Sequence, residues 1–288
     1  VAAACRPLRW TRQSKGRTMA SYDTSRLDPY QREFVKLLQA NSYRHRPHEV
    51  FRDFCELAAI SLSNAVDRIH FAEREARYLE VIKTYTKEEA YRFPAMLAAV
   101  VNSLECGFSD SLGQLFMSLE LGNQWKGQFF TPYDVSHLMA QITLGDVRAV
   151  IERQGFFTLN EPAAGAGAMV IACAHALHDQ GVNYQQTMHV IAQDIDQTAV
   201  HMAYIQCALF HIPAIIVHGN SLTVEEWDHW ATPAHVLGFW DHRLRKARAP
   251  QPVATVPAVA TIEPASADHL AAIIERRIEQ AEQLELFA

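Results

Sequence analysis

Between residues 156 and 220 the chain alternates β-rich runs with helical ones, and this alternation restricts its fold more than any other feature. The runs FFTLNEP (156–162), HVIAQDI (189–195) and AIIVHG (214–219) are rich in β-branched and aromatic residues. A helix through residue 180 separates the first pair, and a helix over 196–210 separates the second. Strand, helix, strand, helix, strand predicts an α/β fold with a parallel sheet and right-handed crossovers. About three strands are visible, fewer than a complete nucleotide-binding sheet uses, so an incomplete sheet is expected.

The first strand runs into the glycine turn AAGAGA, and a helix follows it. Gly165 and Gly167 let such a turn tighten and let backbone approach a ligand, while the helix start offers free N–H groups. A G-x-G alone is a weak signal, but two carboxylates flank it. Glu161 ends the first strand, where it can meet a ligand ammonium. Asp194 closes the second, where doubly wound folds hold ribose hydroxyls. Helix capping is the competing role for Asp194 or Asp196. No G-K-[ST] follows the turn and an acidic residue flanks it, which disfavours a phosphate-rich ligand.

Residues 29–121 read as helices. PYQREFVKLLQAN, HEVFRDFCELAAISLSNAV, EREARYLEVIKTY, KEEAYRFPAMLAAVVNSLE and DSLGQLFMSLELG all space apolar residues by three and four. Pro29, Pro47 and Asp110 stand where helix starts fall. After Gly127-Gln128-Phe129-Phe130-Thr131-Pro132, the run YDVSHLMAQI predicts another helix, with Thr131 as cap and Pro132 at its first position.

Charge and cysteine usage exclude several function classes. With 26 basic and 32 acidic residues the net charge is −6, which argues against strong autonomous grip on DNA. The compact basic run from His242 to Arg248 reads as a solvated domain end before a linker. Five cysteines without a C-x-x-C pair suggest neither a disulfide framework nor a zinc cluster. His175 and His178 lie three apart on a helix, but the sequence brings no third ligand near them, so no metal is expected. No window of 18 apolar residues suggests a membrane span. The first 18 residues carry Arg6, Arg9, Arg12, Lys15 and Arg17 with no apolar run behind them, so they read as a basic arm or upstream extension. A cytoplasmic protein is the simplest expectation.

Residues 249–267 are rich in proline and alanine and read as a linker. Helical spacing resumes at 268, and the chain ends in Gln283-Leu284-Glu285-Leu286-Phe287-Ala288. The expected division is therefore a basic arm 1–18, a helical domain 19–122, an α/β domain 123–248, the linker 249–267 and a C-terminal helix with tail 268–288.

Taken together, GQFFTP (127–132), NEPAAGAGA (160–168), AQDID (192–196) and HGNSL (218–222) resemble the adenine-N6 DNA methylases, the modification subunits of type I restriction systems and their relatives. The resemblance spans roughly residues 105–225, and GQFFTP is its most specific piece. It implies a Rossmann-like S-adenosylmethionine-dependent methyltransferase fold behind a helical domain, with S-adenosyl-L-methionine as cofactor. By the family's roles Phe130, Thr131 and Pro132 line the cofactor pocket, and Glu161 receives the methionine amino group. Ala163, Gly165 and Gly167 form the turn beneath it, Asp194 takes the ribose hydroxyls and Ile195 packs beside the adenine ring. Asn220 falls where the family often has an acidic residue facing the adenine amino group.

The family also uses an [ND]-P-P-[YF] loop, whose carbonyls hold the exocyclic amine while the aromatic residue stacks on the flipped base. No two prolines are adjacent in this sequence, and no fourth strand is recognisable after Asn220, so catalytic residues stay unassigned and the chain reads as truncated or degenerate. Trp227, Trp230, Phe239 and Trp240 offer base stacking, with buried packing as the plainer use.

Two function classes follow. One is methyl transfer to adenine in DNA, aided by a specificity subunit or another partner that supplies the base pocket. The other is a non-catalytic adenosylmethionine-binding accessory. For the latter, Gln283, Leu284, Leu286 and Phe287 resemble the short peptide by which bacterial repair proteins dock on the sliding clamp. The alternative for that tail is the end of an amphipathic helix packed on the body.

Overall fold

The computed structural model describes residues 24–119, 130–145 and 147–248. The basic arm, the linker, the C-terminal tail with its four docking candidates, and Gly127–Phe129 lie outside the described residues.

Helices α1 (Pro29–Asn41), α2 (Pro47–Asn64), α3 (Phe71–Ile82), α4 (Lys87–Ala90), α5 (Arg92–Glu105) and α6 (Ser111–Ser118) form the first layer. Their starts follow the sequence closely. Asp28 accepts from the N–H groups of Tyr30 and Gln31 at 2.7 and 2.8 Å, Gln31 returns to the Asp28 N–H, and Pro29 opens α1. Pro47 opens α2, and Asp110 caps α6 through the Gly113 N–H at 2.9 Å. The run 87–105, expected as one helix, divides at Tyr91 into α4 and α5. The division puts Pro94 in the first turn of α5, where its missing N–H and its ring cost nothing.

The second layer comprises α7 (Tyr133–Leu144), α8 (Arg148–Gln154), β1 (Phe157–Glu161), α9 (Ala168–Asp179), α10 (Tyr184–Thr187), β2 (Met188–Asp194), α11 (Gln197–Leu209), β3 (Ala214–Asn220), β4 (Glu225–Ala231), α12 (Pro233–Leu237) and α13 (Trp240–Arg248). The sheet order is β1-β2-β3-β4. The first three strands are parallel, as the alternation predicts, and β4 runs antiparallel to β3.

β4 corrects the expectation that no strand follows Asn220. Its sequence, EEWDHWA, has no apolar alternation to announce it, and of its side chains only Trp230 is buried. A charged strand of this kind suits an edge, because it discourages further pairing. It returns from β3 as a hairpin, so it is no parallel fourth strand of the type that carries a catalytic loop. Arg74 of α3 secures it, stacking on the Trp230 ring at 3.9 Å and donating to the His229 carbonyl at 2.8 Å.

The two sheet faces differ. Met188, Val190, Ala192, Ala214 and Ile216 point to one face and are fully covered, with α11 packed over them. Helix α11 is buried at every position from Thr198 to Ala208, because α2 lies across its other side. On the opposite face Thr158 and Asn160 of β1 are exposed, and Ile191 and Ile215 are half-buried. Among the described residues no helix is long and apolar enough to cross a membrane.

Candidate cofactor site

The register of the parallel strands aligns three polar side chains. Glu161 pairs with Ala192, Asp194 with His218, and Asn220 follows His218 by two residues. Residues two apart on a strand share a face, and register partners do too. Glu161, Asp194 and Asn220 therefore lie on one face of the sheet, at the carboxyl ends of β1, β2 and β3, where open α/β sheets bind ligands.

The glycine turn joins these strands. Gly165 has φ +53° and Gly167 φ +96°, both in the left-handed region that glycine enters without steric cost. The Gly165 N–H donates to Asp194 Oδ2 at 2.8 Å, and the Ala164 N–H donates to the Gln193 carbonyl at 2.9 Å. Asp194 Oδ1 accepts from the Asp196 N–H at 2.9 Å. Its carboxyl is raised from the usual carboxylate range by burial, which outweighs the opposing backbone N–H groups. Glu161 Oε1 accepts from the Ala163 N–H at 3.1 Å. The capping question is thus settled in favour of Asp196, which accepts from the Thr198 and Ala199 N–H groups at 2.7 and 3.1 Å.

Phe130 closes over this turn. A Cβ added to Gly165 would come within 2.9 Å of its ring, so any side chain there collides with it. Phe130 in turn leans on Phe116 of α6, with ring centroids 5.0 Å apart. A Cβ at Gly167 would meet the Ala203 Cα of α11 at 3.3 Å, which sets how closely the turn sits on that helix. Thr131 and Pro132 are exposed, and α7 begins one residue later than expected, with Pro132 in the cap position and no side-chain cap bond. Thr131 is therefore not the cap. Ile195 projects from the end of β2 with 57 % exposure. Asn220 folds back on its own turn, its Oδ1 accepting from the Leu222 and Thr223 N–H groups at 3.0 and 3.3 Å.

Sequence reasoning missed Gln206. Fully buried in α11, it donates to the Ala166 carbonyl and to Asp110 Oδ1, both at 2.8 Å, and accepts from the Leu112 N–H at 3.1 Å. One side chain thus fixes the glycine turn to the start of α6. Burial raises the Asp110 carboxyl, with the Gln206 bond opposing. A polar residue in a helix with no solvent-facing side was the available signal. Of the four downstream aromatics, Trp230 and Trp240 are buried, whereas Trp227 and Phe239 are largely exposed. His178 tilts against Phe108, but His175 meets His137 of α7 and Asp179, the third group that spacing alone did not supply.

Comparison with known proteins bears on residues 115–238, which match the model of the N-6 DNA Methylase family. A 144-residue stretch is 26 % identical to the type I restriction enzyme MpnII methylase subunit of Mycoplasma pneumoniae, covering 48 % of this chain and 24 % of that protein. The chain spans about a quarter of that curated relative's length. Among solved structures, a Listeria monocytogenes protein assigned to the class I S-adenosylmethionine-dependent methyltransferases is 14 % identical with a TM-score of 0.36, over 67 % of this chain and 54 % of that one. The type I restriction-modification methyltransferase subunit of Streptococcus thermophilus is 19 % identical with a TM-score of 0.31, over 68 % and 47 %.

Proposed function

From the match of residues 115–238 to the N-6 DNA Methylase family we propose that the chain binds S-adenosylmethionine at the carboxyl ends of β1 and β2, in the service of methyl transfer to adenine N6 in DNA. The observation that carries this reading is the bond from the Gly165 N–H to Asp194, which joins two carboxylate-bearing strand ends across a side-chain-free bend.

The residues suit the cofactor chemically. Glu161 is placed to receive an amino group beside the turn. Each oxygen of Asp194 spends one acceptor site on a backbone N–H and keeps another for a ribose hydroxyl. Ile195 offers an exposed apolar flank for a flat base, and Phe130 covers the turn at Gly165, with Thr131 and Pro132 exposed next to it in the chain. Asn220 contributes an amide where a carboxylate would bind an exocyclic amine more strongly. When bound, the cofactor supplies a methyl group on a sulfonium. The chain's own part is to hold that donor and keep its orientation fixed.

Calorimetry with S-adenosylmethionine tests the reading. Asp194→Ala should weaken binding by about tenfold to a hundredfold, the effect of losing hydrogen bonds to a charged group. No heat at millimolar ligand would end the assignment.

DNA is the expected substrate, reached in the cytoplasm with a specificity subunit or another chain that completes the base pocket. A second reading is favoured by the absence of adjacent prolines and by the QLELF tail. In that reading the chain is a non-catalytic adenosylmethionine-binding accessory docked on the sliding clamp. Tritiated methyl transfer to adenine-rich DNA by the purified chain would exclude it. Clamp pull-down unchanged after deletion of residues 283–288 would exclude the docking part.

A further inference from the structure

Beyond the far end of α9 from the glycine turn, three ligand-type side chains meet. His137 of α7 and His175 and Asp179 of α9 place one nitrogen or oxygen each within 4.8 Å of the others. The Asp179 carboxylate lies 3.3 Å from His137 Nε2 and 3.5 Å from His175 Nε2. His175 Nδ1 is turned the other way, 3.0 Å from the Tyr133 hydroxyl. The site is graded from closed to open: the side chains of His137, His175 and Asp179 are 6 %, 26 % and 45 % exposed.

We propose that His137, His175 and Asp179 bind a divalent transition-metal ion of the zinc class, which clasps α7 to α9. Two imidazoles and one carboxylate are a donor set suited to such an ion, and the open side at Asp179 leaves a position for water. The spacing of His175 and Asp179 by four residues puts both on one helix face. Tyr133 plays the part that outer partners play around metal-bound histidines: its oxygen accepts the Nδ1 hydrogen, which leaves Nε2 with its lone pair toward the ion.

The two imidazole planes now lie parallel, 5° apart with centroids separated by 4.0 Å. An ion must lie near the plane of each ring, with ligand bonds of about 2.0–2.1 Å. Binding therefore turns the rings out of their stack. The consequence reaches the proposed pocket. α7 starts directly after Phe130, Thr131 and Pro132, and α9 starts directly after Gly167, so the ion would fix the wall of the pocket relative to its floor.

The experiment is calorimetric titration of the untagged, chelator-treated full chain with zinc, paired with cobalt absorption and thermal melting. One strong equivalent is expected, with visible ligand-field bands for cobalt and a zinc-dependent rise in melting temperature. His137→Gln should weaken zinc binding at least about tenfold. Asp179→Asn, at a half-exposed position where the fold tolerates the change, should do the same and abolish the zinc-dependent rise. Zinc bound equally well by both variants, or no zinc bound at all, would overturn the proposal. Adenosylmethionine binding measured without metal tests the pocket separately, since the two sites are about 10–16 Å apart along α9.

Discussion

The turns that follow β1 and β3 leave the same end of the sheet on either side of β2, yet are built differently. The turn after β1 is held from outside: Asp194 of β2, the Gln193 carbonyl and Gln206 of α11 each bond one of its backbone groups, and Phe130 covers it. The turn after β3 is held mainly within its own hairpin, with one bond from outside, Gln193 Nε2 to the Glu225 carbonyl at 3.2 Å. Asn220 bonds only the two N–H groups that follow, while Leu222 and Val224 stand 93 % and 82 % exposed. A backbone fixed by distant partners keeps its shape before a ligand arrives, which is what preorganised binding needs. The β3 turn reverses the chain into β4 and little more. On the proposed reading, binding belongs to the first turn and chain reversal to the second, with Asn220 reaching the ligand from the end of β3.

The strongest way to break this contrast is at Gly165. Valine there must adopt φ +53° and also displace the Phe130 ring, so Gly165→Val is expected to destabilise the fold by about 2–5 kcal/mol and to remove adenosylmethionine binding. Denaturant melting and calorimetry read the two effects. A variant that melts and binds like the parent would show that the turn is not closed by Phe130.

Gln206→Leu comes next. It leaves the Leu112 N–H and the Ala166 carbonyl buried without a partner, at a cost of about 2–4 kcal/mol. Hydrogen exchange should speed up at Gly165 and Leu112 together, since one side chain holds both segments. Faster exchange at only one of them would show that the two segments are fixed independently.

The legible parts of this fold were those with a local signature. The β1, β2 and β3 runs carry β-branched residues between helical periods, and Asp28, Pro29 and Pro47 mark helix starts by capping chemistry. Asp194 was legible as a strand-end carboxylate, but its bond to Gly165 was not, because it depends on a parallel register set by the crossover helix. Gln206 and His137 escaped for the same reason: their partners are 40 and 38 residues away (206 − 166 and 175 − 137). β4 was hidden for a different reason. A charged edge strand has no core-facing alternation, and Trp230 alone is a thin signal.

Acid sharpens the comparison on the β4 side. His201 of α11 is buried beneath Trp230, their rings 4.9 Å apart at 77°, and neither ring nitrogen has a hydrogen-bond partner among the described residues. Burial lowers its pKa from 6.5 to about 3. Below pH 6.5 the unfolded chain takes up a proton that the folded chain refuses, so stability present above the unfolded value is lost as pH falls toward about 3. The loss should reach about 2 kcal/mol by about pH 5. His201→Leu is expected to flatten that slope in urea melts at a series of pH values. The same slope in the variant would place the acid sensitivity elsewhere.

The smallest expected effect tests the β3 turn directly. Val224 has φ +59°, a conformation in which a β-branched side chain crowds its own backbone. It is nevertheless 82 % exposed, so little packing compensates the strain. Asparagine enters the left-handed region more easily, and Val224→Asn should therefore raise stability by up to about 1 kcal/mol. Since the proposed reading puts the cofactor at the β1 turn, adenosylmethionine affinity should not change in the same variant. A stabilised protein with altered affinity would mean that the turn after β3 does reach the ligand. Asn220 would transmit such a change, since it bonds that turn and shares a sheet face with Asp194.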